Sequence, residues 1–181
     1  MRIVLSVGHH SSAQGAVSTG GVSEWKFWDR AIDDIIARYQ GPHTLIKVHR
    51  KTQSMPIREI NEIAPDWFCE CHFNSAANSA ATGIEVLHYA KSVKSKTIAS
   101  LFVKHLSAAL GLPLRQGGLG RMPVTAEDRG GSLLEKTRMP GVLIEPFFGS
   151  NPNDWQRVQD RYSDMVERMC MAVDDACGVL A

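Results

Sequence analysis

The sequence predicts an α/β fold: a single domain on a twisted, mostly parallel β-sheet flanked by helices on both faces. Three observations predict it. Apolar runs of strand length alternate along the chain with stretches of helical periodicity. The run "GVLIEPFF" (141–148) opens on continuous apolar residues, as a strand covered on both faces does. The 181 residues are enough for one hydrophobic core and short for two.

The elements follow in order. "RIVLSV" (2–7) reads as a first strand. Over 23–41, Trp25, Trp28, Ile32, Ile35 and Tyr39 recur at helical spacing, with Ser23 to cap the start and Gly41 the end. "HTLIKV" (43–48) is a second strand, and 54–65 a short helix stopped by Pro65. "DWFCECHF" (66–73) and "GIEVLHY" (83–89) are the third and fourth strands. A helix spans 92–111 and closes on Gly111. Residues 112–132 are rich in glycine and charge without a period, and read as a long loop of the kind that carries function. The strand 141–148 follows. Residues 151–180 then carry a final helix, with Trp155, Val158, Tyr162, Met165, Met169 and Val173 along one stripe.

Composition excludes several classes. A net charge of +1 supplies no basic field for nucleic acid or an anionic membrane. No apolar run approaches the ~18 residues of a membrane helix, so an integral membrane protein is not expected. The start "MRIVLSVGHH" does not read as a signal peptide, so the chain is expected to stay in the cytosol until something releases it. Reduced thiols are then expected at Cys69, Cys71, Cys170 and Cys177. Cys69 and Cys71 are too close for a usual zinc pair, and all four read as packing residues.

In parallel sheets functional groups gather at the carboxyl ends of strands. His9 and His10 follow the first strand, and His72 ends the third. Glu24 opens the first helix on the rim shared with His9. At ~100° per residue it falls roughly 50° from the centre of the apolar stripe, leaning toward the sheet. An acidic residue at a helix N-terminus is also favoured by the dipole alone. Likewise His72 is either a ligand or a hydrogen-bonded core residue. By period two it shares a face with Phe68 and Glu70, opposite Trp67, Cys69, Cys71 and Phe73. Glu145 sits inside a buried apolar strand, where a carboxylate demands a cation or a metal. Two histidines and a glutamate with an open fourth position make a catalytic zinc set, and a further carboxylate can act as base. No local motif of the HExxH kind is present.

Five segments together resemble one family, the zinc-dependent N-acetylmuramoyl-L-alanine amidases of the amidase-3 type, which are cell-wall hydrolases. They are "VGHHSSAQGAVSTGGVSE" (7–24), "VHRKTQSMPIREINEIAPDWF" (48–68), "ECHFNSAANSAATGIEVLHY" (70–89), "KTRMPGVLIEPFFGSN" (136–151) and the "NDW" that opens the last helix. The resemblance covers nearly the whole chain. It implies one Zn2+ per chain, bound by His9, Glu24 and His72, with Glu145 as catalytic carboxylate. The implied substrate is peptidoglycan, cut at the amide between N-acetylmuramic acid and L-alanine. Arg115, Arg121 and Arg129 of the 112–132 loop are candidates to meet carboxylates of the stem peptide, and Asn74 to meet substrate or hold its turn. His10 stands where the family has glycine, and Glu70 where a small polar residue is common; both are candidates to support a ligand. Residues 1–181 are expected to be the catalytic domain alone, monomeric, without a separate wall-binding domain, as suits a phage endolysin. The rival readings are a zinc amidohydrolase or carboxypeptidase on another amide, a non-catalytic peptidoglycan-binding module, and a metal-free protein with structural histidines.

Overall fold

The computed structural model describes residues 1–181. Its strands are β1 (Arg2–Val7), β2 (Thr44–Val48), β3 (Trp67–Cys71), β4 (Glu85–Tyr89), β5 (Arg121–Val124) and β6 (Gly141–Glu145). Its helices are α1 (Glu24–Arg38), α2 (Ile57–Ile63), α3 (Val93–Leu110), the single turn α4 (Arg115–Gly118), α5 (Gly131–Lys136), α6 (Pro152–Asp160) and α7 (Tyr162–Leu180). The six strands form one sheet in the order β2-β1-β3-β6-β4-β5. Every pairing is parallel except β4 with β6. The sheet is thus mostly parallel, as expected. Because β4 runs against β6, its amino end lies on the same rim as the carboxyl ends of β1, β3 and β6. None of the helices is long and apolar enough to cross a membrane.

Side-chain alternation gives the sheet two unlike faces. On the thick face, Ile3, Leu5, Val7, Trp67, Cys69, Cys71, Val86, Val142 and Ile144 belong to a cluster of 33 buried residues with α1, α3 and α7. On the thin face, Val4, Phe68, Leu87 and Leu143 meet Ile60 of α2 and Leu133 and Leu134 of α5 in a cluster of only nine. The thick face supplies most of the apolar burial. Fully buried Ile32 and Ile35 of α1 contribute roughly 1.5–3 kcal/mol each. Ser23 caps α1 by accepting the Lys26 N–H.

Several boundaries differ from expectation. α1 stops at Arg38, and Gly41 does not cap it: Tyr39 is already extended (φ −64°, ψ 124°), with its hydroxyl on Asp174 of α7. α2 is shorter than 54–65 and ends at Ala64 in a left-handed conformation (φ 48°), just ahead of Pro65. Residues 112–132 are not a structureless loop, since they hold α4, β5 and the start of α5. β5 was hidden by Pro123, which a sheet tolerates only at its edge, and β5 is an edge strand. The last helix is two, α6 and α7, broken at Arg161 (φ −114°, ψ 19°). All four cysteines are free.

Candidate active site

The thin face turns polar at the rim. Two residues beyond apolar Val4, Phe68 and Leu143 come Ser6, Glu70 and Glu145, all buried. On the reversed β4 the order is mirrored, with Glu85 two residues before Leu87 and directly across from Glu145.

His9 follows β1 in a left-handed conformation (φ 67°). The glycine before it is required: a Cβ on Gly8 would lie 2.5 Å from the Cys71 carbonyl oxygen. Glu24, in the first turn of α1, is 3% exposed. Its Oε2 lies 3.0 Å from His9 Nε2 and its Oε1 2.6 Å from His72 Nδ1. Oε1 also accepts the Phe73 N–H at 3.1 Å, which ties the carboxylate to the end of β3. One donor atom from each of His9, Glu24 and His72 lies within 4.8 Å of the others. Burial is the largest single influence on Glu24 and raises its pKa, but the hydrogen bonds to His72 and His9 outweigh it and bring the pKa down to about 2. For His72 burial lowers the pKa, and Glu24 with Glu70 more than offsets this, to about 10. Three convergent N and O donors, one of them a carboxylate, fit a zinc ion with an open position.

Glu145 stands across the pocket at the end of β6. Its Oε1 pairs with Arg129 Nη2 at 2.6 Å, and its Oε2 is buried without a partner. Burial above all pushes its pKa up to about 7, against the pull of His72 and Arg129. The cavity between is about 180 Å3. His9, His72, Glu70, Arg50, Arg129 and Glu145 line its polar side, and Met55, Leu87, Leu133 and Leu143 its apolar side.

The other predicted residues divide. Glu70 is fully buried; its Oε1 pairs with Arg50 and lies 3.2 Å from His72 Nε2. Asn74 is buried and holds its own turn, with its Oδ1 accepting the Ser75 N–H and its Nδ2 donating to Glu85 at 3.4 Å. Arg115 pairs with Glu85 at 3.3 Å and lies over the Phe148 ring at 4.9 Å, so it stands on the rim beside the pocket. Two candidates are not brought to the site. His10 turns outward to the Ser12 hydroxyl at 2.8 Å. Arg121 is in register with Val86, hence on the thick-face side, with its Nη1 3.5 Å from Ser100 Oγ of α3.

Sequence reasoning missed Arg50 and Glu85. Arg50 follows β2 as His9 follows β1, which is a signal of position. Glu85 is a carboxylate in an apolar strand, the same signal that singled out Glu145.

A His–Glu–His donor set facing a buried carboxylate across a small pocket, on the rim of an α/β sheet, is the arrangement of metal-assisted hydrolases. A family model for N-acetylmuramoyl-L-alanine amidases of the amidase-3 type matches residues 3–175, and the chain belongs to that family. It is similar to the structure of a candidate N-acetylmuramoyl-L-alanine amidase from Neisseria meningitidis, with 30% identity and TM-score 0.76 over 98% of this chain and 96% of that one. Its fold matches that of the amidase Ami1 from Mycobacterium smegmatis (17% identity, TM-score 0.80, 99% and 97% covered). It also matches the catalytic domain of the CD27L endolysin targeting Clostridia difficile (21% identity, TM-score 0.79, 97% of both chains). No curated protein matches the chain at a significant level. The chain is accordingly a peptidoglycan amidase by family.

Proposed function

We propose that the chain hydrolyses the amide between N-acetylmuramic acid and L-alanine of peptidoglycan in a zinc-dependent reaction, with one zinc per chain. The observation that carries this is the convergence of His9, Glu24 and His72 opposite Glu145 across one cavity. His9, Glu24 and His72 would hold the metal. A zinc ion there supplies Lewis acidity, acidifying water and polarising the scissile carbonyl.

The protein's own groups do the rest. Glu145 lines the cavity opposite the donor set with a buried, unpartnered Oε2, the placement a general base requires. Its Oε2 takes a proton from the attacking water and delivers it to the departing amine of L-alanine. Arg129, an exposed side chain, occupies Glu145 Oε1 and leaves Oε2 to take the proton. Arg129 and Arg115 also stand where stem-peptide carboxylates would pass. Leu87, Leu133 and Leu143 form an apolar wall on one side of the same cavity.

We extend the proposal to the lytic role of a phage endolysin, which the family resemblance allows. Digestion of purified peptidoglycan tests the chemistry. New L-alanine amino termini without new reducing sugars, abolished by a chelator and restored by zinc, are expected. New termini elsewhere in the peptide would favour another amide, and no new termini despite bound zinc would overturn the assignment. Loss of turbidity when the protein is added to intact walls tests the lytic role.

A further inference from the structure

Glu70 is the one carboxylate lining the cavity that the chemistry above leaves unused. It is fully buried, and a buried carboxylate persists only when paired. Arg50 is its counter-ion. It reaches from the end of β2 past the end of β1 to β3, and is itself nearly buried. The same Glu70 Oε1 that receives Arg50 lies 3.2 Å from His72 Nε2. On the opposite side of the ring, His72 Nδ1 lies 2.6 Å from Glu24 Oε1. The imidazole is therefore gripped between two carboxylates of different kind. Glu24 belongs to the donor set. Glu70 lies outside it, with its Oε1 held by Arg50.

We infer that Glu70, neutralised by Arg50, is a positioning residue that fixes the His72 ring so that Nε2 keeps its proton and Nδ1 offers its lone pair to the metal. A histidine ligand has one nitrogen to give, and the hydrogen bond made by the other decides which. Glu70 supplies that acceptor. Arg50 holds the acceptor in place and cancels its charge, so Glu70 does not become a competing ligand. The inference rests on the zinc reading above. The bland alternative is that Glu70 merely balances Arg50.

Two measurements separate them, neither of which uses activity. In zinc-loaded wild-type protein, 1H–15N correlation of the histidine rings should show a slowly exchanging His72 Nε2–H; a proton on Nδ1 instead overturns the inference. The double variant Arg50→Met, Glu70→Met removes both charges together, which spares the fold an unpaired one. In competition with a chromogenic chelator it should bind zinc about 10–100-fold more weakly than wild type, and the Nε2–H signal should be lost to exchange. Glu70→Gln, which keeps an oxygen acceptor, should keep the signal and lose less affinity. Zinc affinity within two-fold of wild type in the double variant overturns the positioning role while leaving the zinc reading intact. Failure of wild-type protein to bind zinc overturns both.

Discussion

On the thick face of the sheet every inward residue of β1, from Ile3 through Leu5 to Val7, is apolar and fully buried. On the thin face the same strand carries Val4 and then Ser6, while β3 and β6 carry Phe68 then Glu70 and Leu143 then Glu145. Both faces are packed, but only the thin face carries buried carboxylates on its strands. The difference teaches where the molecule spends its stability. Carboxylates at the rim cost free energy that the larger apolar cluster opposite must offset. The candidate site is confined to one rim, at the ends of the thin-face strands and in the segments that meet them there, Glu24 of α1 included.

Substitutions can break that contrast. The largest effect is expected from Glu145→Gln, which should lower amide turnover by about 10²–10⁴-fold with zinc content unchanged. Near-normal turnover would remove Glu145 from the chemistry. On the other face, Trp28→Ala empties a fully buried site in α1. It should cost about 3–5 kcal/mol in urea unfolding, with unaltered zinc per folded chain. A selective loss of zinc there would mean the faces are coupled.

The third test sharpens the contrast through pH. Glu145 is held near 7 in the folded chain, against 4.5 for the ordinary group. The folded state therefore binds this proton more tightly than the unfolded state. The stability it contributes is complete below about 4.5 and is lost as pH rises through about 7. At pH 8 the ionised group should cost roughly 3 kcal/mol, at ~1.4 kcal/mol per pH unit. In chelator-treated protein Glu145→Gln should then be more stable than wild type by about that amount at pH 8, and equal to it at pH 4. A gap independent of pH would assign the effect to packing. The smallest effect is expected from Arg121→Ala, within about 0.5 kcal/mol in stability and with turnover nearly unchanged. A ten-fold loss of turnover would return Arg121 to the substrate.

Much of this was legible in the sequence because alternation and helical spacing are local. Period two in "WFCECHF" already separates Phe68 from Trp67, Cys69 and Cys71, and the sheet keeps that separation. Glu145 announced itself by chemistry, as a charge in an apolar run. Arg50 did not, because its partner Glu70 is brought near only by a sheet order that puts β1 between them. Arg121 was misjudged because 112–132 was read as loop. In a strand its direction is set by register, and one position on, Met122 is paired with Leu87 and turns to the thin face. His10 was favoured by adjacency to His9, yet a left-handed His9 sends the chain, and His10 with it, outward.

Pro123 has a consequence for how the molecule lives among its copies. The carbonyls of Gly120 and Val124 accept from Val86 and Ala90, so even-numbered residues of β5 face β4 and odd-numbered ones face outward. The missing N–H of Pro123 therefore falls on the free margin of the sheet. A strand from another molecule trying to extend the ladder there would find a gap where it needs a donor. One ring, far from the chemistry, guards against edge-to-edge polymerisation.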